Sequence, residues 1–156
     1  MENCFIKTPL GIAEIAGDKK GVSKISIITE ATLTTKIPKH LQEAVSQIQD
    51  YFESKIMEFT FKINPLGTDF QKKVWQELVD IPFGKTISYL DLAKKLGDPK
   101  VIRAAASANG KNPLWIVVPC HRVIGTDGSL TGYAGGLWRK KWLLEHENPT
   151  NQQSLF

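Results

Sequence analysis

The spacing of apolar residues changes partway along this chain, and the change restricts the fold more than any other feature. Between residues 5 and 28, apolar and polar residues alternate in the period typical of half-buried strands. Beyond the turn-rich segment 64–67, apolar residues recur instead at helical spacing. We therefore predict an α/β domain over residues 1–64 and a mainly helical domain over residues 65–156.

The first domain is predicted to be a small antiparallel sheet covered by one helix. A turn at Pro9-Leu10-Gly11 joins two alternating runs, and residues 57–63 alternate again and predict a closing strand. Pro38 occupies the expected first position of the helix. The apolar stripe of that helix consists of Leu41, Val45, Ile48 and Phe52. Nothing in this domain indicates chemistry, so we interpret it as a scaffold.

Three helix starts are predicted in the second domain. Thr68 and Ser88 are N-cap residues for the first two helices, and Asp98 followed by Pro99 starts the third, over residues 100–108. The last two helices are separated only by a glycine-containing turn. This arrangement is a candidate helix-turn-helix.

The third of these helices is rich in alanine and carries one arginine, Arg103. One interpretation is a core helix whose arginine reaches the solvent. The other is a helix whose small side chains permit close approach to another surface.

An apolar, strand-like run over residues 115–119 ends at Cys120, and His121 and Arg122 follow directly. A buried structural cysteine is the commoner use of this residue type. A thiol with an adjacent base and cation is instead typical of a nucleophile, and Glu147 is a candidate to orient the base. A Cys-His-acid set fits a hydrolase equally well, so these residues alone do not specify the reaction.

Composition limits the class of protein. The chain has 156 residues and a net charge of +4, and the whole excess of positive charge lies after residue 64, as expected of a phosphate-binding surface or of ordinary solvated lysines. It contains no nucleotide-binding glycine loop, no paired zinc-ligand spacing, and neither a membrane-spanning run nor a secretion signal. We expect a cytoplasmic protein without cofactor or metal, whose two cysteines form no disulfide.

With these residues in view, the sequence resembles the O6-alkylguanine-DNA alkyltransferases, also called methylated-DNA–protein-cysteine methyltransferases. The resemblance is strong over residues 65–147 and looser over the first 64. It rests on Pro119-Cys120-His121-Arg122-Val123, together with Gly67-Thr68-Asp69-Phe70-Gln71, Val74-Trp75, Ile81-Pro82-Phe83-Gly84, Ser88-Tyr89, Arg103-Ala104, Asn112, Gly132-Tyr133, Gly135-Gly136 and Trp142-Leu143-Leu144.

The resemblance implies a role for each matching residue. Cys120 would accept the alkyl group, while His121, acting through a water and backed by Glu147, would help to form the thiolate. Asn112 would tie the helix-turn-helix to the active-site strand, and Tyr89 would donate to the minor-groove nitrogen of the leaving guanine. The substrate pocket would be formed by Tyr133, Val123, Ala134, Gly135, Gly136 and Trp115.

The resemblance also implies how DNA is bound. The second helix of the pair would enter the minor groove, with Arg103 filling the stack vacated by a flipped base. Other residues expected at the DNA are Tyr89, Ala104, Lys100 and Ser107, with Lys72, Lys73 and Lys111 as further phosphate contacts.

The family implies a ribonuclease-H-like first domain and a winged-helix-like second domain. The expected partner is double-stranded DNA containing O6-alkylguanine, with O4-methylthymine as a second substrate, and the protein is expected to act as a monomer with no membrane contact. Some members hold a zinc ion in the first domain. Only Cys4 could contribute a thiol there, so we expect none.

Two other functions are weighed against repair. A DNA-binding protein without catalysis, such as a lesion sensor, would lack the acceptor cysteine that this chain has. A Cys-His hydrolase would leave the helix-turn-helix and Arg103 without a purpose.

Overall fold

A computed structural model of the chain describes residues 1–130, 133 and 135–149. The chain forms two compact units. Unit 1 comprises Met1–Leu66 together with Pro113–Trp115, and unit 2 comprises Gly67–Asn112 and Ile116–Phe156. Three residues close to the predicted nucleophile are thus assigned to unit 1, which local sequence patterning does not reveal.

Unit 1 contains the predicted antiparallel sheet. Strands β1 (Glu2–Thr8), β2 (Gly11–Asp18) and β3 (Gly21–Ile28) pair in chain order. Cys4, Ile15 and Ile25 are aligned across the three strands and are all buried, so the alternation in the sequence fixes the register.

Helix α1, Gln42–Phe52, follows a single 3-10 turn at Lys39–Leu41. Pro38 therefore precedes the first helical turn, and the predicted first helical position was wrong by one residue. Leu41, Val45 and Ile48 are buried, as the spacing predicts.

The predicted closing strand over residues 57–63 was wrong. Only Ile63 bridges to Val22, and Met57 is largely exposed. The aromatic residues of this segment instead form a cluster, in which Phe59 contacts the rings of Tyr51 and Phe61. These rings pack against one another, so the segment buries apolar surface without the ladder of backbone hydrogen bonds that a strand would form.

Unit 2 begins with helix α2, Asp69–Val79. Thr68 caps this helix in a reciprocal capping box with Gln71. Helix α3, Tyr89–Lys95, is capped by Ser88. Gly97, with a φ of +99°, turns the chain, and Asp98 then caps the 3-10 turn Pro99–Val101 that leads into helix α4, Ile102–Gly110. The three predicted caps are confirmed.

The predicted strand leading to Cys120 was also wrong. Leu114 makes one isolated bridge to Ile25 of β3, and Ile116 has a φ of +61°, which no strand accommodates. A 3-10 turn, Cys120–Arg122, replaces the strand. After it, the two-residue strand β5 (Val123–Ile124) runs parallel to β4 (Ile87–Ser88).

Helix α5, Leu137–Glu147, ends the described part of unit 2. Its inward stripe is made of Lys140, Leu143, Leu144 and Glu147, all buried. None of the helices in the described ranges is long and apolar enough to cross a bilayer.

Candidate active site

Cys120 opens the 3-10 turn, and its backbone is fixed on both sides. Its amide donates to the Val118 carbonyl at 2.8 Å, and the Arg122 amide donates to the Pro119 carbonyl at 3.0 Å. Cys120, His121 and Arg122 are all buried. The turn therefore brings a thiol, an imidazole and a guanidinium into the interior of unit 2.

One carboxylate joins the two basic side chains of the turn. Glu147 Oε2 lies 2.7 Å from His121 Nε2, while Arg122 donates from Nε to Oε1 at 2.8 Å and from Nη2 to Oε2 at 3.0 Å. Arg122 Nη1 donates to the Ile81 carbonyl at 2.7 Å. These bonds commit Arg122 to holding the end of α5 against the turn.

Burial and charge set the protonation of this cluster. Burial lowers the pKa of His121, with Arg122 and Lys140 adding to the effect against the opposing pull of Glu147. Burial alone would raise the pKa of Glu147, but His121 and Arg122 outweigh it and hold that pKa below its ordinary value. We therefore describe His121 as a neutral ring that donates from Nε2 to an ionised Glu147.

This tautomer leaves His121 Nδ1 as an acceptor. The atom is buried and has no hydrogen-bond partner among the described residues. An unfilled buried acceptor on an imidazole can take a proton, directly or through a water.

The Cys120 thiol has polar surroundings despite its burial. Burial raises its pKa, while hydrogen bonds from Asn112 and Tyr133 and the charge of Lys140 act in the opposite direction. The net direction is upward, so the resting group is a thiol and its reaction requires a base.

Lys140 is a candidate site residue that the sequence analysis missed. Its side chain is fully buried, and Nζ donates to the Val123 carbonyl at 2.7 Å and lies 5.9 Å from the centre of the Tyr89 ring. Burial lowers the pKa of Lys140 to about 8, partly offset by the charge of Cys120. The available signal was a lysine in line with Leu143, Leu144 and Glu147 on the inward face of a helix, since lysine is almost never fully buried without a partner.

Two asparagine amides hold the backbone around Cys120. Asn112 Nδ2 donates to the Val118 carbonyl at 2.7 Å. Asn109, which the sequence analysis also missed, donates from Nδ2 to the Cys120 carbonyl at 3.4 Å. Because Asn109 belongs to α4, this bond connects the predicted DNA-binding helix to the predicted nucleophile.

The residues predicted to line the pocket have different positions. Tyr89 is the first residue of α3 and is half-buried, as is Tyr133, whose carbonyl accepts from the Gly136 amide at 3.0 Å. A Cβ on Gly135 would lie 3.0 Å from the Tyr133 ring, so only glycine fits there without displacement. Val123 is buried and its amide donates to the Cys120 carbonyl.

Two further residues were predicted to line the pocket. Ala134 lies outside the described residues. Trp115 is assigned to unit 1, where it is buried with its ring centre 6.1 Å from that of Phe52.

Four of the residues predicted to contact DNA share one side of α4 and of the turn before it. Lys100, Arg103, Ala104 and Ser107 are all exposed. Ala105, Ala108 and Asn109 face inward and are buried. The remaining predicted phosphate contacts, Lys72, Lys73 and Lys111, are exposed as well.

No group of three or more His, Cys, Asp or Glu side chains within residues 1–130, 133 and 135–149 could hold a metal ion. The expectation that the protein works without zinc stays a prediction.

Comparison with known proteins places these features in context. A family model described as "6-O-methylguanine DNA methyltransferase, DNA binding domain" matches residues 69–149. A methylated-DNA–protein-cysteine methyltransferase of Methanosarcina barkeri is 42% identical over 150 residues, which cover 92% of this chain and 94% of the relative.

Solved structures give the same result. The O6-methylguanine methyltransferase of Mycobacterium tuberculosis is 39% identical to this chain, with a TM-score of 0.85 and coverage of 95% of this chain and 93% of that one. A structure of the M. tuberculosis protein in complex with DNA gives a TM-score of 0.87, with 39% identity and coverage of 100% and 99%.

Proposed function

The chain belongs to the 6-O-methylguanine DNA methyltransferase family, and from that membership we propose that Cys120 is the residue that accepts the alkyl group. The protein is a methylated-DNA–protein-cysteine methyltransferase, which repairs DNA by moving a methyl group from guanine O6 to its own thiol. The assignment rests on one observation: Cys120 directly precedes His121, and His121 is paired with Glu147 in the interior. The other cysteine, Cys4, lies in β1, where burial raises its pKa to about 11. It therefore stays a thiol, which is the unreactive form.

The reaction begins with removal of the thiol proton. His121 Nδ1 accepts that proton, directly or through a bridging water, while Glu147 holds the opposite ring nitrogen. The Cys120 sulfur then attacks the alkyl carbon, forming an S–C bond as the C–O6 bond breaks. The bond electrons leave with guanine, which takes up one proton. The product is a thioether with no route back to the thiol, so each molecule reacts once.

Negative charge passes from the sulfur to the leaving guanine, and two side chains are placed to stabilise it. The Lys140 ammonium interacts with the charge on Cys120. Tyr89, 5.9 Å from that ammonium, would donate its phenolic proton to the minor-groove nitrogen of the base. Arg122 acts only through Glu147.

Duplex DNA hides the alkylated oxygen in the base stack, so the base must be flipped out at a cost of a few kcal/mol. The exposed side of α4 is small and basic, which suits insertion into the minor groove. Arg103 would fill the vacated stack, and Lys100 and Ser107 would contact the backbone. Ala104 would allow the helix to approach closely.

The remaining sequence-based predictions complete the proposal. The boundary between the two domains lies at residues 64–66, with Pro113–Trp115 assigned to the first unit. The first domain has a ribonuclease-H-like plan and the second a winged-helix-like plan. The substrate is O6-alkylguanine in double-stranded DNA, with O4-methylthymine as a second substrate. The protein acts as a cytoplasmic monomer and needs no cofactor.

Mass spectrometry of the Cys120 peptide tests the central assignment. The protein is incubated with a duplex containing one O6-methylguanine, and the peptide should gain the mass of one methylene group in stoichiometric amount. The Cys120→Ser variant should bind the duplex with unchanged affinity and gain nothing.

The same experiment separates the other two functions. Tight binding without any adduct would identify a lesion sensor. Release of a product at more than one equivalent per protein would identify a hydrolase. An adduct on Cys4 in place of Cys120 would contradict the residue assignment.

A further inference from the structure

Helix α4 has two faces with different environments. Arg103 and Ser107 lie on the exposed face, where DNA binding is proposed. Asn109 lies on the inward face and is only 1% exposed. One short helix therefore presents one face to the solvent and places an amide side chain in the interior of unit 2.

Asn109 uses that amide on the nucleophile's own backbone. Its Nδ2 donates to the Cys120 carbonyl, which also accepts the Val123 amide, so both lone pairs of this oxygen are engaged. The Asn109 Oδ1 atom is buried and has no hydrogen-bond partner among the described residues. Leaving a buried acceptor unfilled is unfavourable, and leucine has a similar shape without that cost.

The end of α4 is also anchored beside Asn109. Trp75 of α2 donates from Nε1 to the Ala108 carbonyl at 2.9 Å, and this bond is buried. Asn112 holds the Val118 carbonyl two residues before Cys120. The Trp75 bond connects α4 to α2, whereas the bonds of Asn109 and Asn112 lead from the end of α4 to the backbone of the reactive turn.

We propose that Asn109 is a positioning residue that couples occupation of the exposed face of α4 by DNA to the reactivity of Cys120. This inference rests on the proposed function. When DNA binding shifts α4, the hydrogen bond from Asn109 moves the Cys120 carbonyl. The position of the thiol relative to His121 changes as a result. Coupling between two sites is reciprocal and measurable as a ratio of rates or affinities.

The coupling can be measured without base flipping. The free base O6-methylguanine is supplied in solution as the alkyl donor, and the rate of Cys120 alkylation is followed with and without a saturating duplex made only of A·T pairs. Such a duplex occupies α4 but offers no guanine to the pocket. The wild-type rate should rise by about fivefold, the factor that one neutral hydrogen bond represents.

Substitution of Asn109 should remove that response. In Asn109→Leu, the A·T duplex should bind with wild-type affinity but change the rate by less than about twofold. Asn109→Ala is measured alongside because it tests the same bond without added bulk. The control is Trp75→Phe, which loses a buried bond to the neighbouring carbonyl but keeps the Asn109–Cys120 bond, and it should keep the response.

Each outcome decides the proposal. An unchanged wild-type rate with DNA, a response retained in both Asn109 variants, or its loss in Trp75→Phe as well would overturn it. A failure of the methylated duplex itself to alkylate Cys120 would instead refute the proposed function, and the coupling with it.

Discussion

The Lys140 ammonium donates a 2.7 Å hydrogen bond to the carbonyl of Val123, three residues beyond the reactive cysteine, from a position with no exposed surface. A buried cation is costly unless its charge is used. The Lys140 charge stabilises the negative charge that develops on Cys120 during transfer. We infer that burial of Lys140 lowers the stability of the fold and raises the reactivity of the thiol.

The Lys140→Met variant should be more stable and less active than the wild type. Lowering the pKa from 10.5 to about 8 corresponds to a cost of roughly 3 kcal/mol for the buried ammonium at pH 7. Loss of the bond to Val123 offsets about 1 kcal/mol of the gain. We expect unfolding free energy to rise by about 2 kcal/mol and transfer to slow by about tenfold.

The difference in unfolding free energy between the wild type and Lys140→Met should depend on pH. Between the folded pKa of about 8 and the unfolded value of 10.5, the unfolded chain binds more protons at Lys140. Wild-type stability should therefore rise relative to Lys140→Met across that window, and the gap between their denaturant midpoints should narrow. Lys95→Met, at an exposed position at the end of α3, should match the wild type throughout.

The Glu147→Gln variant should be destabilised by about 3–5 kcal/mol, because it leaves the buried Arg122 guanidinium without its carboxylate. The lowered pKa of Glu147 contributes stability that is present above its ordinary value of 4.5 and is lost as pH falls below it. Urea unfolding between pH 3 and 7 should show this loss in the wild type and not in the variant. Glu145→Gln serves as the control, and an identical acid response in all three proteins would contradict the assignment.

The Arg103→Ala variant should repair a methylated duplex more slowly while reacting with the free base O6-methylguanine at the wild-type rate. The reason is that the arginine acts on the flipped base's vacated position and not on Cys120. Rates of adduct formation with the two substrates provide the measurement. Arg103→Lys keeps the charge but not the planar guanidinium, so it should keep duplex affinity and still repair slowly. Equal slowing with both substrates would refute the stack-filling role.

Removal of Lys100 should change the salt dependence of binding. Each phosphate contact contributes about −0.9 to the slope of log affinity against log salt concentration. The Lys100→Ala slope should therefore be shallower by about that amount, measured with undamaged duplex by fluorescence anisotropy. Lys20→Ala, at an exposed position between β2 and β3, should keep the wild-type slope. An unchanged slope in Lys100→Ala would exclude this lysine as a phosphate contact.

Local features of the fold were predictable because their causes are local. Thr68, Ser88 and Asp98 cap helices through bonds to residues two or three positions away, and such bonds leave a direct mark on the sequence. The alternation in β1 to β3 likewise reports which side chains face the core. The segment before Ile63 alternates between apolar and polar residues, and the segment before Cys120 is continuously apolar. Both patterns are typical of strands, but ring packing in the first and the positive φ of Ile116 in the second prevent a strand.

The site was only partly predictable. Cys120, His121 and Glu147 are chemically distinctive residue types, and the structure brings the last two into contact. Lys140 and Asn109 are residue types that usually lie at the surface. The helical spacing of Lys140 with Leu143 and Leu144 indicates an inward position, but it does not reveal the Val123 carbonyl that its ammonium contacts. Their contributions come from packing between distant segments, which periodicity in a single sequence does not encode.

The burial of Cys120 has a consequence for the lifetime of an unused molecule. A thiol that is only 8% exposed and kept protonated by its surroundings reacts poorly with peroxide and with small electrophiles in the cell. A protein that can act only once is thereby protected from being wasted by chance encounters. Its capacity is kept for a lesion that arrives on DNA.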